Sequence, residues 1–346
     1  MDPSLALNIY LRLRNAVTRE VFGRDSDHES LSTIDLILVA LFTGGHVLLE
    51  DYPGSGKSYL AEKLGRAIRF DLPVDPATGR HVFRRIQCTP DLLPTDLIGY
   101  VDAARSFHPG PVFSTVLLVD ELNRTTPKVQ SALLEAMAER QVTVENLTYP
   151  LNDLFFVIAT QNPLDRLGTY ELPAAQLDRF LFKRNLKPIH PDFEALVITL
   201  DDAREHARQR KARGLGEDRA NGSDTVSATE ILQVRAWVLQ EVDCHPHVVN
   251  CMLEIADRLT THFGAERVYR TSPRSNKSLY NALKMLALIS CPPNHTPRVQ
   301  PEDLAYIARD FYVHRLGLSE SELSDAADAI EAIVTETVER FKFTRK

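Results

Sequence analysis

The sequence predicts an α/β domain with a doubly wound parallel sheet, followed by a smaller all-helical domain. Three observations carry the prediction. Continuous apolar runs at His46–Glu50, Thr115–Val119 and Leu154–Thr160 read as strands buried on both faces, which lose the in–out alternation of a half-exposed sheet. Helical segments separate these runs, the alternation that builds parallel sheets. Each run leads into a polar cluster, at 51–58, 120–121 and 161–162. Ligands of such sheets gather at the carboxyl ends of the strands.

Leu5, Ile9, Leu13, Val17 and Val21 step by four, so residues 4–22 read as an amphipathic helix ended by Gly23-Arg24-Asp25. A strongly apolar second helix, 32–43, stops at Gly44-Gly45. The first strand then breaks into the glycine loop Asp51-Tyr52-Pro53-Gly54-Ser55-Gly56-Lys57-Ser58, and the helix after it runs to about Phe70, burying Leu60, Leu64 and Ile68. Residues 82–88 suit another strand. A loop, Tyr100 to Phe113, carries Gly110 and Pro111. A helix over 127–140 is opened by Pro127 and points Leu133, Leu134 and Met137 inward. Gln141 to Leu151 alternate around Glu145-Asn146, a hairpin pattern. From 201 to 227 charges and glycines replace apolar residues, the signature of an insertion or linker. Ser227-Ala228-Thr229-Glu230 forms a capping box, and further helices start near Pro246, Pro273, Pro301 and Ser319. The domain boundaries expected are therefore 1–200, a charged insertion 201–227, and a helical domain 228–346.

At 346 residues the chain has room for about two domains, and 44% hydrophobic against 25% charged content is ordinary for a globular protein with a real core. A net charge of -7 makes nucleic acid an unlikely partner, since phosphate backbones select a basic face. The four cysteines are scattered, as in a reducing compartment. Cys244, His245, His247 and Cys251 lie close in sequence, but Val248, Val249 and Met252 mark this stretch as an apolar helix face rather than a zinc site. No run of about 18 apolar residues and no leader pattern are present, so a cytoplasmic protein is expected.

The polar clusters carry the chemistry. Gly54 and Gly56 let the backbone N–H groups of the loop turn toward phosphate oxygens, and the following helix presents its positive end to the same group. Lys57 supplies a cation for the β/γ-phosphates and the Ser58 hydroxyl a ligand for Mg²⁺. Asp51 stands where the usual loop pattern begins with glycine, and a carboxylate there opposes nucleotide binding. Asp120 can hold the Mg²⁺ shell, and Glu121 can orient a water against the γ-phosphate. Asn162 can bridge that water and the phosphate. Arg179 offers a guanidinium for transition-state charge, the alternative being an exposed ion pair with Asp178. Arg274, in the first turn of a later helix, could reach the phosphates and couple nucleotide state to the helical domain.

These stretches, with Arg85-Ile86-Gln87-Cys88-Thr89-Pro90-Asp91-Leu92-Leu93-Pro94, Asp120-Glu121-Leu122-Asn123-Arg124, Ala159-Thr160-Gln161-Asn162-Pro163, Leu177-Asp178-Arg179-Phe180 and Ser272-Pro273-Arg274, closely resemble the MoxR family of AAA+ ATPases. The resemblance implies a P-loop AAA+ domain with a small helical lid, and hydrolysis of ATP with Mg²⁺. Pro53, Gly54, Ser55, Gly56, Lys57, Ser58 and Tyr59, with Asp120 and Arg274, would hold the nucleotide. Ser58 and Asp120 would hold the metal, and Glu121, Asn162 and Arg179 would be catalytic. Lys57 and Ser58 look like the Walker A pair, Asp120 and Glu121 the Walker B pair, Asn162 sensor 1, Arg274 sensor 2, and Arg179 a finger acting on a neighbouring subunit. A finger acting in trans implies a ring, usually a hexamer. The Tyr100–Phe113 segment resembles the family's insert in its second helix, and Gln141–Leu151 its hairpin before sensor 1. Relatives work as chaperone-like ATPases, often with separate partners that carry a von Willebrand factor A domain. Two other readings compete: a nucleotide-gated scaffold that barely hydrolyses, and a DNA-dependent AAA+ motor.

Overall fold

The computed structural model describes residues 1–18, 31–50, 57–72, 79, 81–162, 169–170, 172–186, 225–264, 272–292, 295–316 and 320–343. A five-stranded parallel sheet lies at its centre. Its strands, numbered among themselves, are β1 (Val47–Glu50), β2 (Phe83–Gln87), β3 (Val116–Asp120), β4 (Phe156–Gln161) and β5 (Phe182–Asn185), in the spatial order β5-β1-β4-β3-β2. Register aligns Val47 with Phe182 and Ile158, Leu118 with Ile158, and Gln87 with Asp120. All five strands point the same way, so the sheet has one amino edge and one carboxyl edge.

Alternate residues of each strand enter opposite cores, as the pleat dictates. Val47, Leu49, Val116, Leu118, Phe156 and Ile158 join one buried cluster, while Leu48, Leu117, Val119, Val157 and Ala159 join the other. The first face is covered by α1 (Pro3–Thr18), α2 (Thr33–Thr43) and α3 (Lys57–Ala67), the second by α4 (Pro94–Ile98) and α5 (Pro127–Glu139). At β1, β3 and β4 both faces of the sheet are therefore dry, which is why these three strands read as unbroken apolar runs, whereas β2 keeps Arg84, Arg85 and Gln87 exposed. α2 closes at Gly44 in the left-handed region, with the Gly44 and Gly45 N–H groups on the carbonyls of Leu41 and Ala40.

After α6 (Ala174–Leu177) and β5, the chain is helical: α7 (Ala228–Glu241), α8 (Pro246–Phe263), α9 (Pro273–Ser290), α10 (Leu304–Tyr312) and α11 (Glu320–Phe343). The capping box forms as expected, with Ser227 Oγ accepting the Glu230 N–H at 3.1 Å and Glu230 accepting the Ser227 N–H at 2.7 Å. Val248, Cys251 and Met252 are buried on one face of α8, the apolar reading of that stretch, but Val249, expected on the same face, is exposed. α7 packs on α1 and α2, and α9 on α2, so the first core continues without a break into the helical half. Arg12 pairs with Glu230 at 2.9 Å and Arg184 with Asp310 at 2.6 Å across the same boundary.

Three local differences from the sequence reading have physical causes. The helix after the glycine loop stops at Ala67; Ile68–Arg69 leaves it to pair with Val226–Ser227. The segment read as a loop from Tyr100 to Phe113 contains an antiparallel ladder, Gly99–Val101 against Phe107–Pro109. Gly99 sits at φ 98°, and a Cβ there would meet the His108 carbonyl oxygen at 2.3 Å, so only glycine allows this close approach. β5 was not legible as a strand, because Phe182-Lys183-Arg184-Asn185 follows its one apolar residue with three polar ones. The hairpin expected at 141–151 is present, Gln141–Val144 against Leu147–Pro150, with Glu145 and Asn146 both at positive φ as a tight hairpin turn requires. The rings of Phe107 and Tyr149, one from each hairpin region, stack at 3.9 Å. Among the described residues no helix is long and apolar enough to cross a membrane.

Candidate nucleotide-binding site

The carboxyl edge of the sheet collects the acids. β3 delivers Asp120 at its last position, β4 brings Thr160 beside it, and α3 begins at Lys57-Ser58 opposite both. Ser58 Oγ donates to Asp120 Oδ2 at 3.2 Å, Thr160 Oγ1 to Asp120 Oδ1 at 2.6 Å, and Arg85 Nη2 to Asp120 Oδ2 at 2.7 Å. Burial favours the neutral acid at Asp120, but hydrogen bonds from Thr160, Arg85 and Ser58 and the charge of Arg85 outweigh it. Its carboxyl is held below the ordinary range. An ionised carboxylate beside a hydroxyl is a hard-oxygen donor set, and it suits Mg²⁺.

Glu121 follows in the left-handed region, φ 59° and ψ 49°, a conformation that costs a non-glycine residue about 1–2 kcal/mol. The strain is held by Thr160, whose Oγ1 accepts the Glu121 N–H at 2.9 Å while donating to Asp120. One hydroxyl thus fixes both acids. The Glu121 carboxylate receives Gln87 Nε2 at 2.7 Å and lies 3.3 Å from Arg124 Nε. Arg85 also donates to Gln87 Oε1 at 3.0 Å, so β2 links the two acids from the side. Asn162 is buried beside this group, its carbonyl accepting from Asn123 Nδ2 at 3.3 Å. Beneath the site, Glu50 at the end of β1 is buried with Lys183 at 2.7 Å and bonded by Gln161. Cys88, close to both acids, has its thiol pushed up to about 12 by burial and their charge, so it is not a nucleophile here.

The two arginines lie elsewhere. Arg179 sits in the turn between α6 and β5, just before Leu181 donates to the His46 carbonyl at the start of β1. Arg274 Nη2 donates to the Ala138 carbonyl at 3.4 Å, at the end of α5. The next turn of chain, at Arg140, bonds Gly44 and Asp153, which precede β1 and β4. Both arginines therefore occupy the amino edge. β3 alone, Val116 to Asp120, puts about 13 Å between the two edges. The structure thus brings Ser58, Asp120, Glu121 and Asn162 to one edge, with Lys57 and Tyr59 at the start of α3. It sets Arg179 and Arg274 on the other.

The ion pair weighed for Arg179 is not made: Asp178 pairs with Arg315 at 2.8 Å. Pro53, Gly54, Ser55, Gly56 and Asp51 lie outside the described residues, as does most of the charged insertion. Four residues with clear roles were not singled out from sequence: Arg85, Gln87, Thr160 and Arg315. Thr160 had a signal, a lone hydroxyl ending an apolar strand. Arg85 and Gln87 share one face of β2, alternate positions aimed at the acids.

Comparisons with known proteins agree with this fold. Residues 46–182 match the ATPase family associated with various cellular activities (AAA). The chain is 37% identical over 312 residues to the uncharacterised protein YeaC of Bacillus subtilis, covering 89% of this chain and 88% of that protein. It is 33% identical over 325 residues to chaperone MoxR1 of Mycobacterium tuberculosis, covering 89% of this chain and 76% of that protein. A solved structure from Cytophaga hutchinsonii, described as a "putative ATPase", superposes with a TM-score of 0.72 at 31% identity over 96% of each chain. With Ser58, Asp120 and Glu121 gathered at the carboxyl edge of a sheet of this order and such relatives along most of its length, the chain belongs to the MoxR family of AAA+ ATPases.

Proposed function

We propose that this protein hydrolyses Mg-ATP in a ring of identical subunits and uses the cycle for chaperone-like remodelling or activation of a separate protein. One observation carries the reading. The acids stand at the carboxyl edge of the sheet, while Arg179 and Arg274 stand at the amino edge, so a nucleotide on Lys57 and Ser58 meets no arginine from the same chain's pair. A neighbour's amino edge docked against that nucleotide would supply them. In this reading Glu121 orients the attacking water, Asn162 bridges water and γ-phosphate, and Arg179 stabilises the transition-state charge of the adjacent subunit's phosphate. Bound Mg²⁺ would neutralise phosphate charge; Ser58 and Asp120 would hold it. Thr160 keeps both acids oriented without moving a proton.

The family resemblance extends the proposal to a cytoplasmic hexamer with a partner carrying a von Willebrand factor A domain. The net charge of -7 speaks against a DNA-driven motor. The scaffold reading has its own support, because Gln87 and Arg124 already engage the Glu121 carboxylate.

Phosphate release from Mg-ATP, measured with solution mass in the presence and absence of ATP, tests the proposal. Glu121→Gln and Arg179→Ala should each lose at least a hundredfold in turnover, given the 10³–10⁵ an arginine finger supplies elsewhere. Mixing the two inactive variants should restore part of the activity, because some sites then combine a native Glu121 with a neighbour's Arg179. Full activity in a monomeric Arg179→Ala variant would overturn the reading.

A further inference from the structure

Asp178 precedes Arg179, and neither of its carboxylate oxygens serves that arginine. Oδ1 accepts from Arg315 Nε at 2.8 Å and from Ser275 Oγ at 2.5 Å; Oδ2 accepts from Ser272 Oγ at 2.9 Å. Ser272 is the N-cap of α9, its Oγ accepting the Ser275 N–H at 3.1 Å, and Arg274 lies between the two serines. The Arg315 guanidinium, only 3% exposed, also donates to the carbonyls of Asp178, Phe180 and Leu181 at 3.4, 3.1 and 3.5 Å. These carbonyls flank Arg179 on both sides. Arg179 Nε is buried and has no hydrogen-bond partner among the described residues.

We propose that Asp178 is a positioning residue that joins Arg179 and Arg274 into one unit, so that the helical half and the turn before β5 present both guanidinium groups together to a phosphate on the adjoining subunit. This rests on the trans-acting reading above. With three donors filling its oxygens, Asp178 leaves the charge of Arg179 uncompensated by its own neighbour, as an anion-seeking side chain requires. The same carboxylate holds the cap of the helix that aims Arg274. A shift of α9 therefore moves the turn of Arg179, and a phosphate that captures one arginine draws in the other. Positioning through short side chains is also economical, because two serines and a buried, multiply bonded arginine have little freedom left to lose.

The test is a double-mutant cycle on turnover in the full-length protein. Arg179→Ala, Arg274→Ala and the pair are compared in the native background and in Ser272→Ala/Ser275→Ala, alongside the affinity of a fluorescent ATP analogue. Turnover lost in Arg179→Ala and in Arg274→Ala, and partly restored when either is mixed with Glu121→Gln, establishes the underlying trans reading first; turnover that ignores either change, or a loss that mixing does not repair, overturns that reading, and this one with it. Given that loss, the expected result is that the two arginines are coupled in the native background and act independently once the serines are gone. The serine variant itself should show at least a tenfold lower kcat with analogue affinity within twofold. Ser275→Ala alone, which keeps the Ser272 cap, should give an intermediate kcat, and Ser275→Thr should rescue it. A purely structural role would lower the melting temperature and leave the coupling intact. Unchanged coupling, or unchanged kcat, overturns the proposal.

Discussion

The two edges of the sheet are built from similar side chains under opposite rules. At the carboxyl edge, Asp120 and Glu121 share the buried Thr160 hydroxyl, but the rest of their partners reach water: Arg85 is about half exposed at 49%, and Gln87 is exposed too. At the amino edge, Arg315, His314 and His46 are buried and spend their hydrogen bonds largely on backbone carbonyls and amides. Bonds between exposed side chains are easily exchanged for water, a metal or a phosphate. Bonds from a buried guanidinium to main-chain oxygens are not, because breaking them strands a charge out of solvent. One edge is organised to take ligands in and let them go. In the proposed cycle, the other fixes the position of groups that serve a neighbouring subunit's ligand.

If that contrast holds, removing a charge from the amino edge should cost far more stability than removing one from the carboxyl edge. Arg315→Met leaves the Asp178 carboxylate without its buried partner and takes a donor from the carbonyls of Asp178, Phe180, Leu181 and Phe311. A loss of about 3–5 kcal/mol is expected, read as a fall in denaturation midpoint. A loss under about 1 kcal/mol would erase the distinction between the edges.

Acid should reach the amino edge next. His46 Nδ1 accepts the Val157 N–H at 3.0 Å, so the ring is neutral, and burial first, then the charge of Arg140, pushes its pKa down to about 3. The unfolded chain binds a proton near pH 6.5 and the folded chain does not. Stability from this group is therefore full above that pH and drains as pH falls toward 3. About 2 kcal/mol should go by pH 5. Melting curves at pH 7 and pH 5 check it: His46→Gln should flatten the slope, although buried His314, whose pKa is also depressed by burial, keeps part of it. Asp303 works the other way, since burial raises its carboxyl to about 6 and its ionisation weakens the fold as pH rises through that range. An unaltered slope in His46→Gln would remove His46 from the account.

The asymmetry of the edges also explains what the sequence could and could not reveal. β1, β3 and β4 were legible because both their faces are dry, and the acids were legible because they end those strands. β5 was not, since Phe182-Lys183-Arg184-Asn185 looks like a surface turn. Lys183 is buried only because Glu50 meets it, and Arg184 because Asp310 does. Those partners are more than a hundred residues away in sequence, and no local pattern encodes them. Arg315 was hidden for the same reason. The sequence placed Arg274 correctly in the first turn of a helix, yet the edge to which that helix is delivered is decided by Ser272, Ser275 and Asp178, a tertiary contact. Charged residues whose burial depends on a distant partner are where reading by periodicity fails.

The smallest effect expected sharpens the comparison most. Arg85 Nη2 donates to Asp120 Oδ2, the same oxygen that faces Ser58, so a guanidinium stands where a cation would be drawn. Being about half exposed, Arg85 gains little from this pairing, of the order of 0.5–1 kcal/mol. That is small enough for Mg-nucleotide to displace it and large enough to matter when Mg²⁺ is scarce. Arg85→Gln should therefore melt within about a degree or two of wild type, yet lower by about two- to fivefold the Mg²⁺ concentration needed for half-maximal binding of a fluorescent ATP analogue, as 0.5–1 kcal/mol implies. If Arg85→Gln instead destabilised the protein as Arg315→Met is expected to, the carboxyl edge would be as rigid as the amino edge. If the Mg²⁺ requirement rose, Arg85 would be helping to hold the phosphates rather than standing in for the metal.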